Sequence, residues 1–568
     1  MTDARERGER SRIQDEAWVV DLMDATFCDA CGLPPRPNKT LLQCTRCKQA
    51  HYHDKHCQKN HYSKHKDACR SQSRTTLVEI RKIEGRGRSL FATSKLAIGD
   101  HPLTTLCAPI AHPVLLESTR SMRCSFCFQS IQHDYASSNI DQQQQNNRLH
   151  RHCSIECKNL DMNWMNEETA ARKLPSPPSP TALSCARILR ECHKSPAKSA
   201  MYEELCSSNL DSLSNKEKET YLSIMAQCHL FLLAMKGFGP IAQFAHDLLH
   251  PNNLLAIQFM SRMCMNGFTI SDSEQFAIGQ GVYCQGSMIN HSCRPNSVPS
   301  FWIRPSVPPM LQITVCTPID VGEEITIAYC DVSTPRHVRC ETLMKNYKFI
   351  CDCSHCKDTH QDDAIVGLKC TLAGCKCGLV TSIDDGKLDK HSQYQCNTCG
   401  NMNFEETLYE QATSMEQLKQ LEMAMNVGSS HNTRAGDEVR LIYERLKRCC
   451  QQHTSYYTAW SADLFVTWCA NALGYLRNED ELLNICHRAL VILNDRRPAA
   501  QLCFNYPGNI SWCIKQGIEA KLRLFVNPMD MEALEMLKNV RKTMLVFYPP
   551  TDDMITMLDE SLASYSFS

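Results

Sequence analysis

The 568-residue chain reads as an α+β multidomain protein tied together by several zinc sites. Three observations predict this class. Its length exceeds what one ordinary core supports, so three or four domains are expected. Thirty-five cysteines, many in short pairs close to histidines, follow the spacing of metal ligands. Short β-branched runs broken by Gly and Pro precede a long amphipathic stretch from Phe404 to the end, so strands give way to helices along the chain.

Composition narrows the class further. With 43% hydrophobic and 22% charged residues, the chain resembles a soluble globular protein with polar inserts. The start, "MTDARERGERSR", lacks an apolar h-region and no run of eighteen apolar residues occurs, which disfavours secretion and membrane spanning. Cysteines clustered with histidines in such a chain point to zinc in a reducing compartment rather than to disulfides. The net charge of -1 gives no global field for nucleic acid. Cys28 to Arg70 nevertheless holds nine Lys and Arg against three Asp, a local +6 that suits an acidic partner or a solvated face.

Residues 1-27 form a polar lead-in. Residues 28-69 read C-x2-C-x12-C-x2-C-x5-H-x3-C-x7-H-x3-C, through Cys28, Cys31, Cys44, Cys47, His53, Cys57, His65 and Cys69. Eight such ligands supply two tetrahedral zinc sites, because a close pair gives two corners and a distant pair closes the shell. His51, His56 and His61 compete with His53 for one place. Residues 74-116 carry short strands around "GRGRSLFAT". Residues 117-180 are a Cys-containing insert with Cys124, Cys127, Cys153 and Cys157, then a loop at "KLPSPPSP", where each proline removes a backbone donor. Those four cysteines are either one zinc site or two accidental pairs.

Residues 181-263 have helical periodicity, as in "YLSIMAQCHLFLLAM", and strand-like segments return over 264-331. Residues 332-358 end in "CDCSHC", whose Cys351, Cys353 and Cys356 leave a tetrahedron one ligand short. Residues 366-402 look like a small zinc ribbon built on Cys370, Cys375 or Cys377, Cys396 and Cys399. Residues 404-568 suggest antiparallel helix pairs of a TPR-like kind without a fixed period.

Two segments follow neither a strand nor a helix rhythm: "SMINHSCRPNSVPSF" from Ser287, and "GEEITIAYCD" some thirty residues later. With "GRGRSLFAT" and "YKFICDCSHC" they resemble the SET domain of protein lysine methyltransferases, and the first Cys/His segment resembles the MYND finger. Together they are similar to the SET-and-MYND family, at motif level from about residue 28 to Lys357 and more loosely through the helical C-terminus.

The resemblance implies a SET β-fold with a pseudoknot and a post-SET zinc site. It puts Cys28, Cys31, His53 and Cys57 on one MYND zinc, with His53 where a cysteine is usual, and Cys44, Cys47, His65 and Cys69 on the other. It makes Cys293 the fourth ligand of the "CDCSHC" zinc, nearly sixty positions away. It implies S-adenosylmethionine contacts at Gly85, Arg86, Gly87, Asn209, Asn266, Ser287, Ile289, Asn290, His291, Tyr329 and Phe349. Arg88 and Ser89 intervene before Leu90 where the family places Leu sooner, and the acidic residue expected just before Asn209 is absent. Tyr329 would position the transferring methyl group, and His291 would bind through its backbone rather than act as a base.

The implied activity is methylation of histone or non-histone lysines, by a monomer whose MYND finger takes a peptide partner, with no membrane role, in the nucleus and/or cytoplasm. A different reading is a zinc-finger interaction scaffold or transcriptional regulator with a weak or inactive SET domain. A DNA-binding regulator rests on the basic patch alone, without a base-reading helix pattern.

Overall fold

The computed structural model describes residues 41–45, 50–59, 62, 77–103, 106–131, 151–161, 168, 178–235, 238–250, 253–358, 364–375, 378–382, 393–426, 433–450, 455–472 and 478–565. The chain divides into two compact units with interleaved segments. The first draws on Met1–Asp272, Phe276–Asn290 and Ser297–Ile327, and the second on Ser273–Gln275, His291–Asn296 and Ala328–Ser568.

The first unit combines short β-hairpins and a small sheet with a helical insert. Strands β1 (Leu42–Gln43) and β2 (His51–Tyr52) form a short antiparallel ladder. Strands β3 (Val78–Ile83) and β4 (Gly87–Ala92) form a hairpin in register from Val78↔Ala92 to Ile83↔Gly87. Its turn places Gly85 at φ 74° and Gly87 at φ 77°, the left-handed region that a residue lacking Cβ enters without strain. Strands β5 (Val114–Leu115), β6 (Gly267–Ser271) and β7 (Ala277–Val282) make an antiparallel sheet in the order β5-β7-β6. The two-residue strand β8 is Asn290–His291. Strands β9 (Ser297–Arg304) and β10 (Val307–Val315) form a second hairpin, with a register shift between Val307 and Met310, and β11 (Thr326–Ile327) ends the unit.

The insert contains α1 (Pro180–Lys194), α2 (Pro196–Glu203), α3 (Asn215–Ala234), α4 (Gly239–Leu249) and α5 (Leu254–Met265). Its starts are written in the sequence. Ser179 and Ser195 cap α1 and α2, each followed by proline at the first position, and Ser214 with Glu217 makes a capping box for α3. Helix α1 thus begins at Pro180, the last residue of the expected loop, because proline's missing N–H costs nothing there. Leu183, Ile188, Phe231 and Met260 share one buried core with Val114 of β5 and Val282 of β7, so the insert packs directly on the sheet.

The second unit begins with α6 (Arg336–Tyr347) and the single turn α7 (Ser354–Lys357). Strands β12 (Leu368–Lys369), β13 (Leu379–Ser382) and β14 (Tyr394–Cys396) form a three-stranded ribbon in sequence order. Seven helices follow: α8 (Glu405–Asn426), α9 (Thr433–Cys449), α10 (Tyr456–Ala472), α11 (Glu479–Phe504), α12 (Ile510–Val526), α13 (Met531–Phe547) and α14 (Asp553–Tyr565). Each packs on the next. Leu368, Val380 and Tyr394 of the ribbon share a core with Val439, Leu446 and Phe465 of the array. Among the described residues, no helix is long and apolar enough to cross a membrane.

Candidate active site and metal centres

Three groups of four cysteines converge: Cys124, Cys127, Cys153 and Cys157; Cys293, Cys351, Cys353 and Cys356; Cys370, Cys375, Cys396 and Cys399. Within each group all four sulfurs lie within 4.8 Å of one another. Measured pairs include Cys127–Cys153 at 3.5 Å, Cys293–Cys351 at 3.9 Å, Cys293–Cys356 at 3.5 Å and Cys375–Cys396 at 3.7 Å. Zn–S bonds of about 2.3 Å in a tetrahedron separate the sulfurs by roughly 3.8 Å, whereas a disulfide would bring two of them to about 2.05 Å. These thiols fit zinc, and they are free cysteines.

The insert cysteines are therefore one cluster rather than two accidental pairs. Cys375 joins the ribbon group, while its competitor Cys377 lies outside the described residues. Of the expected MYND ligands, Cys28, Cys31, Cys47, His65 and Cys69 also lie outside them. Cys44 is buried with Ala50 and Tyr52 at the β1–β2 ladder, and Cys57 packs against this small core. His53 follows β2 and is half-buried.

The first unit brings most of the expected cofactor residues into one chain of contacts. Arg86 N–H donates to the Ile83 carbonyl at 3.1 Å, closing the glycine turn. A Cβ on Gly87 would lie 3.6 Å from Cys206 Sγ, and the Cys206 carbonyl accepts from Asn266 Nδ2 at 2.8 Å. Asn266 caps α5, giving its other amide contact to the Arg262 carbonyl at 2.7 Å. Its own carbonyl accepts from Ser287 Oγ at 3.2 Å. Beside it, a Cβ on Gly286 would press on the Leu311 side chain, which would have to shift. Ile289 is fully buried.

Arg88 and Ser89, the two residues that depart from the family's glycine loop, are absorbed by local chemistry. The Arg88 guanidinium pairs with Glu204 at 2.7 Å. Ser89 is fully buried and donates to Glu324 Oε1 at 2.5 Å. Glu324 also accepts from Asn290 Nδ2 at 2.9 Å and lies 3.9 Å from Arg86. Glu324 lies within "GEEITIAY", where no local spacing sets it apart from Glu323. Asn209 is different: it is exposed, and its side-chain oxygen accepts from Asp211 N–H at 3.1 Å as the cap of a 3-10 turn.

The second unit holds the remainder. Tyr329 N–H donates to His291 Nδ1 at 3.0 Å, so the neutral imidazole carries its proton on Nε2, which sits 3.2 Å from Cys293 Sγ. Burial holds the His291 pKa down to about 4, in keeping with a neutral ring. Both ring nitrogens of His291 are committed to these contacts. The Tyr329 ring lies 4.7 Å from that of Tyr347, 5.4 Å from His291 and 6.4 Å, edge-on, from Phe349. Tyr347 went unremarked in the sequence although it opens "YKFICDCSHC"; burial pushes its hydroxyl pKa up. Arg339 was also missed. It is almost fully buried, with Nη2 at 4.0 Å from Cys356 Sγ.

Comparison with known proteins fits this geometry. The SET domain family matches residues 55–330 and the MYND finger family residues 28–69, which defines a SET-domain protein carrying a MYND finger. Similar proteins include the N-lysine methyltransferase SMYD2-A of Xenopus laevis, 27% identical over 291 residues, 49% of this chain and 60% of that one. The N-lysine methyltransferase SMYD2 of Homo sapiens is 26% identical over 292 residues, 50% of this chain and 61% of that one. The chain spans about three fifths of the length of these curated relatives. Over about half of its length the chain is thus similar to N-lysine methyltransferases, and it carries both the SET and the MYND domain matches.

Proposed function

We propose that this protein transfers methyl groups from S-adenosylmethionine to lysine side chains of proteins. The observation that carries the reading is the anchoring of Tyr329. Its backbone is held by His291, whose ring also meets Cys293 of a four-cysteine centre, while Tyr347 and Phe349 pack on its ring. When bound, S-adenosylmethionine supplies an electrophilic sulfonium methyl group. The acceptor amine must then be neutral and aligned opposite the departing sulfur. Holding both reactants in line removes much of the entropic barrier, and aromatic walls desolvate the ammonium, lowering its pKa. Tyr329 positions the methyl group, and the turn at Gly85–Gly87, Asn266, Ser287, Ile289, Asn290 and His291 contribute the cofactor contacts, with Phe349 against the adenine.

The substrate is a lysine of a histone or another protein, which places the enzyme in the nucleus, the cytoplasm or both. It acts as a monomer, and the MYND finger takes a peptide partner. Calorimetry of S-adenosylmethionine binding to zinc-loaded wild type and Tyr329→Phe, with radiolabelled methyl transfer to histones and cell extract, tests the reading. Both proteins are expected to bind at micromolar concentration, with transfer lowered about 100-fold or more in the variant. Absence of binding to folded, metallated wild type would overturn the reading and leave an interaction scaffold.

A further inference from the structure

We propose that Arg339 is a buried counter-charge beside the centre formed by Cys293, Cys351, Cys353 and Cys356, a positioning residue that stabilises the metal-bound set. Arg339 lies in the first turn of α6, where its N–H donates to the Pro335 carbonyl at 3.1 Å. Its guanidinium donates to the Thr334 carbonyl from one nitrogen and approaches Cys356 Sγ at 4.0 Å with another. It is 1% exposed and among the largest fully buried side chains of the protein.

A guanidinium does not lose its proton in a protein, so this side chain brings a full positive charge into the interior. Such a charge is costly unless an opposite one lies beside it. Zinc held by four thiolates supplies that opposite charge, since two positive charges on the ion against four negative sulfurs leave a net 2−. Cys293, Cys351 and Cys356 are themselves buried, so the complex is equally in need of a nearby cation. His291 Nε2 approaches Cys293 as Arg339 approaches Cys356, so two ligands of one centre each have a polar partner outside the ligand set. Such outer partners orient and tune metal ligands.

The inference concerns the metal centre and stands apart from the methyl-transfer reading. The test uses full-length zinc-loaded protein and the variants Arg339→Met, Arg339→Gln and Arg339→Lys. Zinc release to a chromophoric chelator is followed in time, and cadmium-113 resonances of the cadmium-substituted proteins are compared. Arg339→Met and Arg339→Gln are expected to release one equivalent about 10- to 100-fold faster than wild type. One tetrathiolate resonance is expected to shift while the others stay in place. Arg339→Lys, which keeps the charge, is expected to restore slow release. Neutral variants that release zinc at the wild-type rate with an unchanged cadmium spectrum would overturn the inference. So would Arg339→Lys releasing as fast as they do, since shape rather than charge would then be at work. Arg339→Gln keeps a polar tip against Thr334 and decides the matter should Arg339→Met fail to fold.

Discussion

At Glu324 a single carboxylate gathers Ser89, Asn290 and, more distantly, Arg86. It thereby ties the glycine turn to the Asn-His motif through a side chain rather than through the sheet. Glu324→Gln keeps the size but removes the charge, so the bonds that Ser89 and Asn290 both make to Oε1 become neutral ones and an amide donor replaces the oxygen nearest Arg86. Weakening a charge-assisted bond from a buried hydroxyl should lower stability by about 1 kcal/mol. A lower urea midpoint and weaker S-adenosylmethionine binding would show it; an unchanged midpoint and affinity would count against the role. Residue-level roles of this kind were the least legible in the sequence. Tyr329 and Cys293 could be picked out because their motifs are short and fixed. Ser89, Glu324 and Arg339 act through neighbours distant in sequence, so no local spacing marks them.

The insert around Cys124–Cys157 shows how an element that looked marginal is built into the sheet. Leu116 N–H and Thr119 Oγ1 both donate to the Ile278 carbonyl at 2.9 Å. Arg123 pairs with Asp272 at 2.5 Å. The Phe128 ring occupies the space that a side chain at Gly279 would need. At the far end, Ser306 N–H in the β9–β10 turn donates to Cys157 Sγ at 3.1 Å. An N–H aimed at a thiolate is a common support for a zinc ligand, so this zinc should also brace the hairpin. Cys157→Ser is expected to lose one zinc equivalent and to speed amide exchange at Ser306 and the neighbouring turn residues, as seen by metal analysis and hydrogen-exchange mass spectrometry. Full zinc content with unchanged exchange would refute the brace. The cysteine pairs of this insert were readable, because ligand spacing is local. Their attachment to β7 was not, since Gly279 and Phe128 are far apart in sequence. Free core cysteines added to the ambiguity: Cys107, Cys185, Cys228 and Cys469 are fully buried and serve as small apolar residues.

On the scale of the whole chain, the C-terminal helices are part of the metal-bearing unit rather than an appendage to it. The second unit begins with short segments taken from inside the first, then runs from Ala328 to the end. Within it the ribbon strands share their core with α9 and α10, through Leu368, Val380 and Tyr394 against Val439, Leu446 and Phe465. Tyr506, beyond α11, packs on the cluster around Cys293, Cys351 and Cys356. A three-stranded ribbon of two- to four-residue strands buries too little to be stable alone, so most of its stabilisation must come from zinc and from the helices. A chain ended at Asn403 removes that second support and uncovers the apolar sides of Leu368, Val380 and Tyr394. It should therefore retain fewer zinc equivalents than the full chain, with the ribbon centre lost first, and should bind a hydrophobic dye that the full chain does not. If the shortened protein kept its full zinc content, stayed monodisperse and left the dye unbound, the ribbon would be self-sufficient, and the shared core would be adding contact without adding stability.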